Sequence, residues 1–295
     1  MPPKQIFDDR SQFIDDELVK LEKAISSLQK EILEVLVIDY APGFIEGLIL
    51  NEESLKHLYE LTPIFEELAQ LNNTLETKIA TNLLKLTEYS KDYFKELGFK
   101  VTGIKKEINV LYEVIGITEK GVIIPSGYLS KLFNTVNVEF QQSISNYVLN
   151  SIGGNMPYQD FVKGFREVIK GSPEVDGKLM KYYKQYSFDL YSKVAALTDN
   201  YYADQLGLSY FVYDGTQIDT SRPFCVGGHD SVFGGTFEPK IHKTFSKEEA
   251  ESWNALDWKG KDNASTVMIA RGGFNCRHLF RWITDDEAEI KKQNQ

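Results

Sequence analysis

The stretch Gly272-Gly273-Phe274-Asn275-Cys276-Arg277-His278 has a counterpart about 50 residues earlier, Ser221-Arg222-Pro223-Phe224-Cys225, which Gly227-Gly228-His229-Asp230 follows. Together these two clusters hold both cysteines and two of the four histidines of the 295-residue chain. Rare residue types in two Gly-rich clusters usually meet in space, where they staple a small domain or form a site. We therefore expect Cys225 and Cys276 to lie close together.

The sequence changes character at Leu208, where the clusters' region begins. A short aromatic, β-branched run, 209–213, predicts a strand, and Asp214-Gly215 is a turn signal. A capping box that starts at Ser246 predicts a helix over 246–256. We expect a compact α+β module over 208–285 with a solvated tail over 286–295. All three tryptophans lie in this region and are expected in its core: Trp253, Trp258 and Trp282.

Residues 1–115 predict long helices, beginning with one over 7–38 whose apolar residues alternate at intervals of four and three. This seam could pack inside its own subunit or form an intersubunit coiled coil; it comprises Ile14, Leu18, Leu21, Ile25, Leu28, Ile32 and Val35. A short helix over 52–61 and a long one over 62–97 follow. Helices over 126–152, 157–169 and 178–205 make 116–207 a helical middle region. The fold class is mainly α with a small C-terminal α+β module.

The composition argues against several functions. A net charge of −10 and a pI near 5.1 disfavour a dedicated nucleic-acid binder, since phosphate contacts come mostly from Lys and Arg. No stretch approaches the about 18 apolar residues of a membrane span, and 1–5 carry no signal-peptide run. We expect a protein made in a cytoplasm, where thiols are mostly reduced.

The two clusters allow three kinds of chemistry. Cys225, His229, Cys276 and His278 form a Cys2His2 set for a structural zinc, with spacings C-x3-H and C-x-H, the second lacking the usual knuckle. The cysteines could instead be buried thiols without a ligand role, or a disulfide. Catalysis is the third interpretation, but the sequence has no GxxxxGK[ST], HExxH or GxSxG motif. We expect no catalytic residues and no cofactor, with structural zinc as the open alternative.

The arginines beside the cysteines need partners if the clusters are buried. Arg222 and Arg277 would then pair with carboxylates, and the nearest candidates along the chain are Asp214, Asp219 and Asp230. The alternative is that both arginines are simply exposed.

The order of motifs from about 181 to 282 resembles the C-terminal module of phage head-morphogenesis proteins, the Mu F-like minor head proteins. The resemblance lies mainly in the paired [ST]R-x-F-C and GG-x-N-C-R-H motifs. A helix carrying Asp189 and a strand and turn, Tyr210-x-x-Tyr213-x-Gly215, precede the first motif. Between the two motifs lie Ser246-x-Glu248-Glu249 and Trp258-x-Gly260. It marks one structural cluster: Arg222, Cys225, Asn275, Cys276, Arg277 and His278. The segment 227–240, which contains His229, is not part of the pattern.

The resemblance implies a low-copy structural protein of the virion, made in the host cytoplasm and located at the portal vertex or in the head interior. Its role would be in head assembly and DNA delivery. The implied partners are portal or capsid proteins, further copies of the chain and, non-specifically, packaged DNA, with no small-molecule substrate. The alternative is a Cys/His metal-dependent hydrolase or nuclease whose helices form an oligomerisation arm. A third interpretation is a soluble interaction protein whose long helices bind an unrelated partner.

Overall fold

The structure, a computed structural model, describes residues 2–34, 62–101, 112, 115–118, 120–154, 156–172 and 175–293. Five long helices dominate these residues, as the sequence predicted: α1 Pro3–Glu34, α2 Thr62–Glu96, α3 Tyr128–Gly153, α4 Tyr158–Lys170 and α5 Lys178–Leu206. The predicted helix over 52–61 and the predicted end of the first helix lie outside the described residues.

Local sequence signals account for the helix ends. Pro3 begins α1, four residues before the predicted start, because proline fits the first turn, where no backbone donor is needed. Gly98 and Gly207 follow α2 and α5 with φ of +93° and +69°. This left-handed geometry is open to glycine, which has no Cβ to clash, and it stops both helices where the sequence predicted.

The apolar seam of α1 is buried within this chain. Its described members are between 0% and 7% exposed: Ile14, Leu18, Leu21, Ile25, Leu28 and Ile32. Glu17 on the same helix pairs with Lys78 of α2 at 3.6 Å, and Gln29 donates to the carbonyl of Ile169 at 2.5 Å. This burial supports packing inside the subunit over an intersubunit coiled coil.

Short elements fill the C-terminal region. They are β3 Tyr210–Asp214, α6 Pro223–Val226, β4 Gly228–His229, β5 Thr236–Phe237, β6 Thr244–Ser246, α7 Lys247–Ser252, a 3-10 turn Trp253–Ala255, α8 Val267–Ala270, β7 Leu279–Ile283 and α9 Asp285–Lys292. Two earlier two-residue strands, β1 Gly171–Ser172 and β2 Val175–Asp176, form a hairpin between α4 and α5. The predicted capping box is present, with Ser246 and Glu249 bonded reciprocally.

One antiparallel three-stranded sheet organises this region, in the order β6-β3-β7. Phe211 on the central strand lies opposite Phe245 on one side and Trp282 on the other. Its ring also stacks on Phe280 with centroids 4.1 Å apart. The three tryptophans are 8%, 1% and 1% exposed, which confirms their place in the core.

The chain forms two compact units, and each takes several separate segments. Unit 1 comprises 1–15, 82–111 and 187–295, whereas unit 2 comprises 16–81 and 112–186. Each predicted region was one continuous segment, whereas each unit combines segments that lie far apart in the sequence. The predicted boundaries at 115 and 207 therefore do not coincide with the limits of the units.

The module over 208–285 shares its core with helices of unit 1. Ile6 and Phe7 of α1, Tyr93 and Phe94 of α2, and Tyr202 of α5 belong to the same hydrophobic cluster as the module's aromatic residues. Short strands and one-turn helices offer too little apolar surface to close a core alone, so the module depends on these helices.

A buried ion pair also joins the helices of unit 1. The Arg10 guanidinium donates to both carboxylate oxygens of Asp199, each at 2.7 Å, and to Ser90 Oγ at 2.9 Å. Arg10 is 2% exposed and Asp199 is 4% exposed.

The end of the chain differs from the predicted tail, because 285–292 form helix α9. Thr284 caps it by accepting from the backbone N–H of Glu287. Three acidic residues in the first turn and two lysines in the last suit the helix dipole. Ala288 is buried against Val212 and Ile283, which fixes the helix to the sheet.

Candidate functional site

Three residues from the two Gly-rich clusters meet in unit 1. The sulfurs of Cys225 and Cys276 and a ring nitrogen of His278 all lie within 4.8 Å of one another. The residues are 1%, 4% and 3% exposed, and both cysteines are free thiols. The structure thus brings the clusters together as the sequence predicted, with no disulfide between them.

The elements around the group explain how it is placed. Cys225 lies on α6, a single turn that Pro223 begins, and the neighbouring Phe224 stacks on Trp258 with centroids 3.9 Å apart. Cys276 lies in the loop between α8 and β7, where Arg271 and Asn275 have φ of +52° and +56°. These left-handed conformations let the loop turn sharply, and His278 immediately precedes β7.

Gly272 makes room for the two sulfurs. A Cβ at this position would lie 2.5 Å from Cys225 Sγ and 2.9 Å from Cys276 Sγ, closer than side chains tolerate. Its N–H points to Cys276 Sγ at 3.3 Å, and its carbonyl accepts from Trp258 Nε1 at 2.9 Å. Sequence reasoning noted the Gly-rich character of the cluster but not this role.

Tyr213 is a further member of the site, although the sequence predicts it only as part of a strand. Its hydroxyl lies 3.1 Å from Cys225 Sγ and 3.8 Å from Cys276 Sγ, and its ring stacks on His278 with centroids 5.4 Å apart. Gly215, two residues on, has φ +141° and would bring a Cβ within 3.0 Å of His278. The Tyr-x-Gly spacing noted in the resemblance was the signal that could have found both.

The thiols differ in acidity. A hydrogen bond from the Cys225 thiol lowers the pKa of Cys276, and His278 and the buried Arg271 favour the same thiolate. That bond, together with burial, raises the pKa of Cys225. Burial also raises the pKa of Tyr213. Cys276 is therefore the group that ionises first, and a thiolate is the form that binds metals or acts as a nucleophile.

A cavity of about 250 Å³ adjoins the group. Its walls include all six residues of the predicted structural cluster, namely Arg222, Cys225, Asn275, Cys276, Arg277 and His278, with Ile218, Thr220 and Ser221. Asp189 on α5 fixes the position of Asn275 in the cavity wall, because its carboxylate accepts from the Asn275 N–H at 2.7 Å. Burial raises the pKa of Asp189, and this hydrogen bond partly offsets the increase.

The predicted carboxylate partners of the two arginines are wrong. Arg222 donates to the carbonyl of Phe274, and Arg277, half exposed, pairs with Asp15 at 3.3 Å.

Two of the three carboxylates that were expected there have other partners. Asp214 pairs with Arg281 at 3.0 Å. Asp230 accepts backbone N–H groups from Val232 and Lys259. For Arg222 a backbone carbonyl takes the place of the expected carboxylate, and for Arg277 the carboxylate comes from Asp15, which is far away in the sequence.

His229 is not part of the group and cannot serve as the fourth ligand of the predicted Cys2His2 set. It lies exposed on β4, which pairs only with the two-residue strand β5. The hairpin belongs to the segment 227–240, and it holds His229 on the surface.

His278 is not fully satisfied by the described part of the chain. One ring nitrogen, Nδ1, lies 3.5 Å from Cys276 Sγ, and the other, Nε2, is buried without a hydrogen-bond partner among the described residues. Buried polar atoms normally have hydrogen-bond partners, so a further group beside the imidazole of His278 would satisfy Nε2.

In comparisons with protein-family models, curated proteins and solved structures, no match to this chain was found. Among the helices of the described residues, none combines the length and the apolar character that crossing a membrane requires.

Proposed function

We propose that this chain is a structural minor head protein of a phage virion, which binds the portal vertex or the head interior during head assembly and DNA delivery. The observation that supports the proposal is the joining of the two motifs that carry the resemblance. Arg222 of the first motif donates to Phe274 of the second, and Cys225 meets Cys276 and His278. Motifs that interlock in this way define one structural module, which strengthens the comparison with the family.

The work of such a protein is binding rather than turnover. Around the site, side chains bond to the backbone of its loops: Trp258 donates to the Gly272 carbonyl, and Asp189 accepts from the Asn275 N–H. This pattern is typical of a cluster that orders a loop-rich fold. It suits a component whose surfaces contact portal or capsid proteins and other copies of itself.

Co-purification with intact particles tests the proposal. We expect a low and constant copy number relative to the major capsid protein, measured by quantitative mass spectrometry. Particles assembled without the portal are the matched control, because loss of the chain from them would assign it to the portal vertex. Retention with protection from added protease would assign it to the head interior. Absence from both kinds of particle would contradict the proposal.

Contact with packaged DNA should be non-specific and weak. The net charge of −10 repels phosphate, and local contacts through Lys and Arg fade steeply as salt rises. Filter binding to unrelated DNA fragments at low and physiological salt measures this. Tight binding to one sequence at physiological salt would argue against a structural role.

A metal-dependent hydrolase or nuclease is the second candidate, and one observation favours it. The Cys225, Cys276 and His278 group adjoins a cavity whose walls include Arg222 and Arg277, residue types that bind phosphate. DNA cleavage by the purified chain with added Zn²⁺ tests this candidate. Cleavage must be lost in His278→Ala and kept in His229→Ala; an inactive wild-type chain rejects it.

A further inference from the structure

We propose that Cys225, Cys276 and His278 bind one Zn²⁺ ion, and that the fourth coordination position of this ion opens to the adjoining cavity. The inference concerns the chemistry of the site and does not depend on the virion role.

The spacing of the donors fits a tetrahedral ion. With Zn–S of about 2.3 Å and Zn–N of about 2.0 Å, neighbouring S and N ligands lie about 3.5 Å apart. Cys276 Sγ and His278 Nδ1 are 3.5 Å apart. All three donor atoms lie within 4.8 Å of one another, so only small side-chain rotations separate the sulfurs from the about 3.8 Å spacing of two zinc-bound thiolates.

The donor set selects the metal. Two sulfurs and one imidazole are soft or borderline ligands, which suit Zn²⁺ and exclude Ca²⁺ and Mg²⁺, whose ligands are oxygens. C-x-H places Cys276 and His278 two residues apart in the segment between α8 and β7, and both side chains reach the group. The tight spacing that lacks a zinc knuckle is therefore compatible with one ion when Cys225 comes from another element.

The second observation is that the three buried side chains have only weak polar partners among the described residues. His278 is 3% exposed, and its Nδ1 has a long contact, 3.5 Å, with Cys276 Sγ. The polar neighbours of Cys225 and Cys276 in the site include weak partners for sulfur: the Tyr213 hydroxyl, the Gly272 N–H, the His278 ring and each other. A cation between the three side chains would give the sulfurs and the imidazole a strong common partner.

Hydrogen-bond donors surround the sulfurs, as they do in metal sites with thiolate ligands. The Gly272 N–H lies 3.3 Å from Cys276 Sγ, and the Tyr213 hydroxyl lies 3.1 Å from Cys225 Sγ. Such donors stabilise metal-bound thiolates and fix their orientation. Gly272 also leaves the sulfurs the space that any side chain would occupy.

Three protein ligands leave one position free. In zinc sites this position holds water or an anion, whereas closed structural sites have four protein ligands. The cavity of about 250 Å³ on this side is large enough for water, and Arg222, Asn275 and Arg277 line it. We therefore assign the fourth position to an exchangeable water molecule.

The experiment uses the full-length chain, purified under reducing conditions, loaded with ZnCl₂ and freed of excess metal by dialysis. We expect elemental analysis to give one zinc per chain. X-ray absorption at the zinc edge should show two sulfur neighbours at about 2.3 Å and two nitrogen or oxygen neighbours at about 2.0 Å. Substitution with Co²⁺ should give the intense absorption bands of a tetrahedral thiolate site.

Variants separate these ligands from other side chains. Cys276→Ser and His278→Ala should lower the affinity for Zn²⁺ by about 100-fold or more. The matched controls are His229→Ala and His242→Ala, since both histidines are exposed and lie outside the group. Both variants should bind Zn²⁺ with the affinity of the wild type.

Four results would overturn the assignment: no zinc retained, a zinc shell without sulfur, four sulfurs from two chains, or unchanged affinity in His278→Ala. If the ligand variants fail to fold, as judged by tryptophan fluorescence, the X-ray absorption of the wild-type protein decides the question alone.

Discussion

At the scale of single residues, Gly272 decides whether the two cysteines can meet. Its backbone passes so close to both sulfurs that a methyl group in place of hydrogen would overlap them. The position has an ordinary φ, so glycine is required here by space and not by backbone geometry.

We expect Gly272→Ala to destabilise unit 1 by about 1–3 kcal/mol, the usual range for overpacking a core. Gly235→Ala is the matched control, because its Cβ would meet only the Phe237 ring at an ordinary 3.4 Å. Urea unfolding followed by tryptophan fluorescence measures both, since all three tryptophans lie in unit 1. Equal stability of the two variants would show that the sulfurs can move apart freely.

Glu76 on α2 gives unit 2 a dependence on pH. The side chain is 6% exposed, and burial raises its pKa from an ordinary 4.5 to about 7. Between these values the folded protein binds more protons than the unfolded chain does. The stability that Glu76 contributes is therefore complete below pH 4.5 and is lost as the pH rises through 7.

Glu76→Gln should remove this dependence, because the amide does not ionise. At pH 8 we expect the variant to be more stable than wild type by about 1–3 kcal/mol, with a much smaller difference at pH 5. Urea unfolding followed by circular dichroism at both values measures the effect. Glu66→Gln, an exposed change on the same helix, is the control and should show no such difference between the two values.

At the scale of elements, α1 depends on its apolar seam. Leu21 is 4% exposed, so we expect Leu21→Ala to cost about 2–4 kcal/mol through lost burial and a residual cavity. Val19 on the same helix is 49% exposed, and Val19→Ala should change stability by less than about 0.5 kcal/mol. Thermal unfolding followed by circular dichroism compares the two; similar losses would mean that the seam is not packed.

Helices were predictable from sequence because local signals set their ends and their buried faces. Thr62 and Gly98 bound α2 close to where proline, glycine and apolar spacing placed the limits. The strand β7 was not located, since its five residues are all buried and carry no alternation. Such a run is recognised only by its pairing with β3, which joins residues far apart in the chain.

The site was predictable where residue rarity carried the signal. Cys225, Cys276 and His278 stood out for that reason and do meet. For Tyr213 the sequence predicts only a place in a strand, because its approach to the sulfurs follows from the register of β3 against β7. His229 was wrongly grouped with the other three, since spacing along the chain does not tell which way a hairpin faces.

At the scale of the whole molecule, the Arg10–Asp199 pair ties α1 to α5 inside unit 1. Arg10→Met keeps the apolar stem but leaves a buried carboxylate without its partner, so we expect a loss of about 3–5 kcal/mol. Arg277→Met is the control, because the Arg277–Asp15 pair is 51% and 52% exposed and should contribute less than about 1 kcal/mol.

Tryptophan fluorescence during urea unfolding reports both variants. A double variant, Arg10→Met with Asp199→Leu, should recover part of the loss, because no charge is then left buried without a partner. If Arg10→Met proved as mild as the control, the ion pair would not hold unit 1 together.

The same ion pair dictates when the protein can finish folding during its synthesis. Arg10 leaves the ribosome 189 residues before Asp199, an interval of about 10–40 s at usual rates of translation. Strand β7, which completes the sheet, emerges later still. Until then the apolar face of α1 around Ile6 and Phe7 has no finished core to enter. The apolar segment around Ile6 and Phe7 is therefore open to aggregation during most of the synthesis of the chain.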